Sequence, residues 1–386
     1  MKLAIIVPGG FDPSGRERVI PALLWLVERL AQRNEVHVFV IDDAMAPSVY
    51  RLAGATVHVL GGAGSLPGGR FVRRWRCLLH ELAVAARSGR MDVVHGFWAG
   101  TSGMLAALAG RWIGAPSVVS VGGGELVWLP EPGYGGQGRW RSRTQATLAL
   151  RLAGAVTGGS RYALKPLEGR IRAHCIPLGV DVAQFESPIA RPPGPPWGLI
   201  HVGSINRIKD QETLLRALRL IVDREPGVHL EWVGEDTLGG AMQRRCAALG
   251  LTGHVTFHGF KPSDEVATLY RSAHVHVLSS RHESQAVVVG EAAAAGVPTV
   301  GTAVGVVAEL APAAAWAVPV GDAEGLAAGV LTLLRDPARR AQMGHAAQMW
   351  SQQHDAAWTA AQFERLYKEL ADRKTSPSSR NVKREI

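Results

Sequence analysis

The sequence predicts an α/β protein made of two doubly wound domains, each a parallel sheet with helices on both faces. Three observations carry that prediction. Short β-branched runs alternate with longer helical patterns, which is the mark of repeated βαβ units. Many of those runs end in Gly-rich loops. A stretch with five prolines in ten residues, Ser187 to Pro196, interrupts the alternation, which then restarts. Such a stretch cannot lie inside a helix or a central strand, so it is read as the border between two domains. A chain of 386 residues has room for both.

In the first half, the strands are expected at Leu3–Val7, Glu35–Val40, Thr56–Leu60, Val93–His95, Ser117–Val121 and Ala155–Thr157. Helical spacing of apolar residues marks Glu17–Gln32, Phe71–Ala86, Thr101–Trp112 and Thr144–Arg151. After the prolines, strands are expected at Gly198–Val202, His229–Val233, Val255–His258, Val275–Leu278 and Thr299–Val300. They are separated by helices at Gln211–Val222, Gly239–Leu249, Ser263–Ser272 and Val287–Ala295, and a helix at Glu324–Leu334 follows. The last helical stretch, Pro337 to Lys374, is long enough to return to the first domain. The expected division is 1–186 with 355–373 packed back on it, 198–354, and a disordered tail over 374–386. Open parallel sheets bind ligands at the carboxyl ends of their strands, so a ligand is expected in a cleft between the two.

Apolar residues make up 47 % of the chain and charged residues 19 %, which excludes wholesale disorder. Mean hydropathy is +0.06, and no apolar run reaches the roughly 18 residues of a spanning helix. The apolar start before Pro8 is too short for a signal-peptide core. Cys77, Cys175 and Cys246 show no paired spacing, so neither a disulfide framework nor a zinc ribbon is expected. A cytoplasmic location is the expectation.

The net charge of +9 is unevenly spread. Residues 1–190 carry 21 basic against 13 acidic side chains, whereas 191–373 carry 17 against 19. Phe71, Trp75, Leu78, Leu79 and Leu82 recur at helical spacing among Arg70, Arg73, Arg74 and Arg76, and Arg139-Trp-Arg-Ser-Arg is a second basic cluster. One reading of residues 70–90 is a helix resting on an anionic membrane surface, peripheral at the inner face. The other is a surface helix whose apolar stripe packs on a sheet while its arginines are solvated. No zinc finger, RNP-type strand or helix-turn-helix supports nucleic acid as a partner.

Four segments of the second half point to one chemistry. Gly203 through Asp210 puts a glycine and the cations Arg207 and Lys209 between a strand end and a helix, as a diphosphate requires. Glu283 sits in a polar loop after an apolar strand, and Glu291 lies eight residues on in a small, apolar helix. An ionised carboxylate there is costly unless hydrogen-bonded, and a pair of sugar hydroxyls meets that need; a partner arginine meets it equally. Ser284, Gln285, Ala286 and Val287 form the start of that helix, whose N–H groups suit phosphate. Gly301 to Glu309 is a second small-residue turn, and Phe257-His-Gly-Phe260 is a strand end fit to receive a flat base.

In order, Gly203-Ser-(x)2-Arg207-x-Lys209-Asp210, Phe257-His-Gly-Phe260, Ser279-Ser-Arg-His-Glu283-(x)7-Glu291-Ala and Gly296-Val-Pro298 resemble glycosyltransferase family 4. Ser14-Gly15-Arg-Glu17-Arg, Asp92-Val-Val-His95 and Ile176-Pro-Leu-Gly-Val-Asp181 extend the likeness through the first half. The resemblance implies two Rossmann-like domains facing a cleft, the GT-B architecture. It implies a retaining transfer of sugar from a nucleotide diphosphate sugar to an acceptor hydroxyl, in glycan or glycolipid synthesis, without a metal or other cofactor. Arg207 and Lys209 would neutralise the diphosphate, Glu283 would hold the transferred sugar, and Glu291 the ribose. Gly203, Phe260 and the Ser284–Val287 segment would complete the donor site, and Gly15 would let the first domain's backbone reach the phosphate. His95 and Gly123 would face a carbohydrate or lipid-linked acceptor.

Three departures qualify the likeness. Gly122-Gly123 stands where the family often has His-Gly, Glu283-Ser-Gln-Ala286 replaces Glu-Gly-Phe-Gly, and Pro177-Leu-Gly179 replaces Pro-Asn-Gly. The first leaves room for a non-catalytic nucleotide-sugar or anionic-lipid binding protein of the same fold. A nucleotide-sugar hydrolase or epimerase is the third reading. No phosphate-binding P-loop is present, and Asp42-Asp43 is not a metal-holding Asp-x-Asp. The pairs His274/His276 and His254/His258 lack a third ligand for zinc, and the Gly122–Gly124 run lacks the helix and distal acid of a dinucleotide loop.

Overall fold

The computed structural model describes residues 1–41, 46–61, 69–186 and 192–375. Asp42-Asp43, most of the loop 61–70, the start of the Pro-rich stretch and the tail beyond 375 lie outside them.

The first unit comprises Met1–Gly159, Ala163–Leu178 and the chain from Ala356 onward. Its elements run β1 (Lys2–Val7), α1 (Pro21–Ala31), β2 (Glu35–Val40), β3 (Ser48–Leu52), β4 (Ala55–Val59), α2 (Arg70–Ala85), β5 (Val93–Phe97), α3 (Thr101–Ile113), β6 (Ser117–Val121), α4 (Trp140–Leu152), β7 (Ala155–Gly158), the second half of α5 (Arg161–Leu164) and β8 (Ala173–Cys175). The sheet order is β3-β4-β2-β1-β5-β6-β7-β8, parallel except for the hairpin β3–β4. β1 is in register with β2 from Lys2↔Glu35 to Val7↔Val40. Its alternating side chains feed two cores: Leu3, Ile5 and Val7 join Leu23 and Leu26 on one face. Ala4 and Ile6 join Phe39, Leu78 and Leu105 on the other. This two-sided burial is why the strand reads as an unbroken apolar run.

The first helix starts at Pro21 rather than at Glu17. Arg18 is left-handed (φ 48°), Ile20 is extended, and Pro21 occupies the first turn, where its missing N–H costs nothing. The arginine-rich α2 buries Leu78, Leu82 and Ala85 in the sheet's second core, with Phe71 and Trp75 packed beside them. Its stripe therefore serves the fold.

The second unit comprises Ser160–Tyr162 and Gly179–Asp355. It contains α6 (Val182–Phe185), β9 (Trp197–Val202), α7 (Gln211–Val222), β10 (Val228–Val233), α8 (Ala241–Ala248), β11 (Val255–Gly259), α9 (Ser263–Ser272), β12 (Val275–Leu278), α10 (Val287–Ala294), β13 (Thr299–Thr302), α11 (Val307–Leu310), β14 (Ala315–Val318), α12 (Ala323–Arg335) and α13 (Pro337–Gln353). The order β11-β10-β9-β12-β13-β14 is parallel throughout. Leu199, Leu230, Trp232 and Val277 pack with Leu214, Leu218, Leu326 and Val330 on one face. Leu278, Val289, Ala293 and Val307 pack on the other.

The chain changes unit between Leu178 and Gly179, ahead of the Pro-rich stretch. Packing explains the difference from the expected 186: Phe185 is fully buried with its ring 6.0 Å from Tyr270, and Gln184 Nε2 donates to Ser263 Oγ at 2.9 Å. The described prolines, Pro192 onward, are themselves part of the second unit, where the Pro192 carbonyl bonds His274 Nε2 at 2.9 Å. The long last helix is two helices. α13 ends at Gln353, and α14 (Ala356–Thr375) belongs to the first unit, where Phe363, Leu366 and Tyr367 join the β1 core. No described helix is long and apolar enough to cross a membrane.

Candidate active site

In the second unit the strand order reverses direction at β9, which has β10 on one side and β12 on the other. Ligands of doubly wound sheets bind at the carboxyl ends of strands flanking such a switch. All the strands are parallel, so that edge collects Gly203 after β9, Gly234 after β10, Gly259 at the end of β11, the Ser279–Glu283 loop after β12 and Gly305 after β13.

Hydrogen bonds and close approaches tie these loops together. Gly234 N donates to Gly259 O at 2.8 Å, and a Cβ on Gly234 would stand 2.0 Å from Gly203 O. Gly203 in turn faces the Lys209 stem, whose Cε would lie 3.5 Å from an added Cβ. Asn206 Oδ1 accepts the N–H groups of Ile208 and Lys209, both at 3.1 Å, shaping the turn that aims Lys209. Lys209 Nζ then lies 2.6 Å from Glu283 Oε1, and Ser280 Oγ donates to the same oxygen at 2.6 Å. The two loops are also sewn by backbone: Arg281 N donates to Ile208 O at 2.8 Å, and Ser279 Oγ to Lys209 O at 2.7 Å. Gly305 closes the other side, with Val306 N bonded to Gln285 O at 2.9 Å.

Arg207 is exposed in the same turn and makes no ion pair among the described residues. Phe260 is half exposed beyond β11. Ala286 is left-handed (φ 69°) and caps α10, with Gln285 buried and Ser284 and Val287 partly so. The Ser284 carbonyl accepts Ser160 Oγ at 2.5 Å.

Glu291 is the one charged side chain buried in α10. Among the described residues it has no cationic partner; its polar neighbour is Tyr270. Burial pushes the Glu291 carboxyl up to about 7, and the hydrogen bond from Tyr270 pulls the other way. Burial raises the Tyr270 phenol well above its ordinary value, with the Glu291 charge acting in the same direction. The carboxyl thus retains unused hydrogen-bonding capacity, which is the condition for holding hydroxyl groups.

Other groups at this edge carried no sequence signal. His201 is fully buried beneath Gly203; Nδ1 bonds Val277 O at 2.8 Å, and Nε2 has no hydrogen-bond partner. Burial pushes it down to about 4. Tyr162, from the short segment that precedes the change of unit, lies 5.6 Å ring to ring from His282. Burial, then the Glu283 charge, raises its phenol. Glu309 Oε1 fixes that segment by accepting Arg161 N at 2.6 Å and Tyr162 N at 3.2 Å.

The first-unit candidates separate. Gly15 is left-handed (φ 65°) in a turn closed by its N–H to Asp12 O at 2.9 Å. His95 does not line an open acceptor face. It is 1 % exposed, with Nδ1 bonded to Tyr367 Oη and Nε2 to Ser120 Oγ, both at 2.7 Å. Burial pushes it down to about 3. It is a satisfied core histidine on a strand whose two faces are both covered. Gly123 does reach an open chamber, and its N–H donates to Glu125 Oε2 at 2.7 Å. Glu125 Oε1 accepts Ala99 N at 3.0 Å and Gly122 N at 3.2 Å, so a carboxylate stands in the turn where the family often has its histidine.

The histidine pairs are dispersed as structural groups: His254 bonds Val228 O, His258 bonds Glu231, and His276 Nδ1 bonds Thr299 Oγ1. Among the described residues no three His, Cys, Asp or Glu side chains come together as metal ligands.

Comparisons with known proteins give the family and the fold. Residues 183–350 match the family model for glycosyl transferases group 1, and residues 19–179 match that for the glycosyl transferase 4-like domain. A D-inositol 3-phosphate glycosyltransferase of Arthrobacter sp. (strain FB24) is 33 % identical over 210 residues, 48 % of this chain and 47 % of that one. The chain thus spans about half the length of that relative. A GDP-mannose-dependent monoacylated alpha-(1-6)-phosphatidylinositol monomannoside mannosyltransferase of Corynebacterium glutamicum is 26 % identical over 69 % of this chain and 73 % of its own. Among solved structures, sucrose-phosphate synthase of Thermosynechococcus elongatus superposes with a TM-score of 0.78 at 22 % identity, covering 96 % and 98 % of the two chains. Anabaena HepE in complex with UDP and glucose superposes with a TM-score of 0.73 at 19 % identity, covering 95 % and 99 %. The architecture is GT-B. With both halves matched in order and the Lys209–Glu283 edge in place, the chain belongs to the group 1 glycosyltransferases, its first half of the glycosyltransferase 4-like type.

Proposed function

We propose that this protein transfers a sugar, with retention at the anomeric carbon, from a nucleoside diphosphate sugar to an acceptor hydroxyl in glycan or glycolipid synthesis, without a metal. The observation that carries this reading is the 2.6 Å contact of Lys209 with Glu283 at the carboxyl edge of a parallel sheet, eight residues from a buried glutamate with no cationic partner among the described residues. The HepE structures hold UDP and UDP-glucose, and the Corynebacterium glutamicum relative is named for GDP-mannose.

The hard step is departure of a charged diphosphate from an oxocarbenium-like carbon. Fixed cations at the leaving oxygens stabilise that separation of charge without reorganisation. Lys209 is already ordered by Glu283, and an ammonium has three donors, so it can keep Glu283 and bind a phosphate oxygen. Arg207 supplies the second positive charge from the same turn. Glu283 accepts hydroxyls of the transferred sugar, and Glu291 accepts those of the ribose. Gly203, Gly305 and the Ser284–Val287 backbone let the donor approach, with Phe260 beside the base. The departing phosphate takes the acceptor proton, so no histidine is required at Gly122. The basic first half fits a cytoplasmic protein working at the inner membrane face.

A panel of UDP, GDP and ADP sugars read by thermal shift tests the reading, since a bound donor raises the midpoint. One nucleotide series is expected to stand out, with turnover dependent on an acceptor-bearing cell extract. Binding without turnover would leave only a binding module. Acceptor-independent release of free sugar would make the protein a hydrolase.

A further inference from the structure

The face of the first sheet that lies under α2 buries a row of polar side chains within its apolar core. Lys2 Nζ lies 2.9 Å from Glu35 Oε1, and His37 Nε2 lies 3.0 Å from the same oxygen. His37 Nδ1 meets His58 Nε2 at 3.0 Å, and His58 Nδ1 meets Glu81 Oε2 at 3.0 Å. The two rings come from β2 and β4 and are 7 % and 4 % exposed, with Phe39 stacked on His58. Glu81 comes from α2, so the row joins sheet to helix.

The row is one hydrogen short. Its three contacts, Glu35 to His37, His37 to His58 and His58 to Glu81, need one hydrogen each. Two neutral imidazoles carry one N–H apiece, and ionised carboxylates carry none. When each ring points its N–H at the carboxylate it faces, two bare lone pairs oppose each other at 3.0 Å. When either ring turns its N–H inward, it presents a lone pair to a carboxylate instead. Glu35 does not supply the missing hydrogen, because bonds from His37 and Lys2 hold its carboxyl down at about 2. A third proton on the rings closes every contact, and the row from Lys2 to Glu81 then carries no net charge.

We propose that His37 and His58 bind one proton between them, and that this proton latches α2 to the sheet through Glu81. Filled, the row is a continuous chain of hydrogen bonds from β1 to α2. Emptied, it must give up one contact. Glu35 is held by Lys2 and Ser88, whereas His58 is the one partner of Glu81 among the described residues, so Glu81 is the group that leaves. The charges that bear on the rings are Lys2 from β1, Glu35 from β2 and Glu81 from α2. Arg51 of β3 lies on the same face but is committed to Thr56 Oγ1 and Gly54 O. Cys77 lies one turn before Glu81, and Asp92, ahead of β5, takes the backbone N–H of Lys2. Burial lowers His37 from its ordinary value and the Glu35 hydrogen bond pulls the other way, so the row fills on the acid side of 6.5 and empties toward neutral pH.

The test uses the full chain with nitrogen-labelled histidines, followed by long-range proton–nitrogen NMR from about pH 8 down to about pH 5. His37 and His58 are expected to titrate together at one midpoint below 6.5. A single downfield proton should then couple to Nδ1 of the first ring and Nε2 of the second. Hydrogen exchange reads the latch. Corrected for the intrinsic effect of pH, protection of residues 78–85 should fall about tenfold as the row empties, the cost of one buried hydrogen bond unmade. Glu81→Gln supplies the missing hydrogen from its own amide, which can donate to His58 Nδ1 while each ring donates along the row toward Glu35. That variant is expected to keep α2 protected at every pH and to show no shared proton. Separate midpoints for the two rings, or no proton coupled to both, overturns the proposal on the unmodified protein alone. So does a shared proton with α2 protection indifferent to pH, or a Glu81→Gln protein with the parent's pH dependence. None of these outcomes depends on the proposed function.

Discussion

Lys209 and Glu283 meet at 2.6 Å although 74 residues separate them, and Ser280 donates to the same carboxylate oxygen. The pair is partly buried, with side chains 20 % and 13 % exposed, and joins the loops on either side of the sheet's switch point. Neither charge stands alone, and each leaves the other partner-poor when removed.

Lys209→Ala is expected to lower turnover about 100- to 1000-fold, the usual cost of deleting a preorganised electrostatic contact at a leaving group. Steady-state rates with the donor identified by thermal shift check this. Normal turnover in a folded Lys209→Ala protein would show that the ammonium does not serve the leaving diphosphate.

Glu291 predicts a pH effect on stability. Its carboxyl titrates at about 7 in the folded chain, against an ordinary value near 4.5. A group with a raised folded pKa contributes fully below the ordinary value, and that contribution is lost as pH rises to about 7. Glu291→Gln stays neutral, so it should gain on the parent protein across that window, by an amount on the order of 3 kcal/mol, and hold the gain above it. Denaturant midpoints of the two proteins from pH 4 to 8 decide this. Parallel curves would mean that Glu291 is not buried without a counter-charge.

Hydroxyl donors favour the ionised carboxylate, so nucleotide binding near pH 7 should release a proton from Glu291. Calorimetry of the preferred nucleotide in two buffers of different ionisation enthalpy measures that proton. Its disappearance in Glu291→Gln is the expected result, and an identical proton count in both proteins would remove the ribose role.

His95→Phe tests the core assignment of that histidine. The change leaves the buried Tyr367 hydroxyl without its 2.7 Å partner, whereas Ser120 Oγ keeps Thr157 Oγ1 at 2.6 Å. The first unit should lose about 1–3 kcal/mol. Acceptor KM of the folded protein should not move; a large rise in KM would return His95 to the acceptor site.

Gly305→Ala should be costly at the donor edge. The residue is left-handed (φ 54°), and a Cβ would stand 2.5 Å from the Gln285 carbonyl oxygen. Backbone strain of this kind costs about 1–3 kcal/mol. Because the displaced carbonyl begins the turn into α10, donor KM should rise with little change in the rest of the unit, as hydrogen exchange localised to 283–290 would show.

The strands of both sheets were legible because burial on two faces leaves unbroken β-branched runs, as in Leu3–Val7 and Val275–Leu278. The edge strands at Ser48–Leu52, Ala173–Cys175 and Ala315–Val318 were not, since their partly exposed residues carry no such run. Arg207, Lys209 and Glu283 stood out as candidates because they are charges beside apolar strand ends, and Glu291 because it is a lone carboxylate in an apolar helix. His95 misled because it is polar and lies in a recognisable run, while its partner Tyr367 lies 272 residues away. Tyr162 and Ser160 were invisible for the converse reason. They precede the change of unit in sequence yet pack with His282 and Ser284. The Gly122–Gly138 loop carries no periodicity at all; its glycines make sense only against the rings of Tyr134 and Trp128.

The return of α14 to the first unit imposes an order on biosynthesis. While the ribosome is still making residues 179–355, all the strands of the first unit's sheet have been synthesised but Phe363 and Tyr367 have not, and His95 Nδ1 has no Tyr367 hydroxyl to meet. The nascent amino-terminal half must therefore wait with an uncovered aromatic face until residues 356–375 have emerged. A gene cut after codon 178 encodes a sheet without its lid, whereas co-production with a separate 356–375 peptide should restore it.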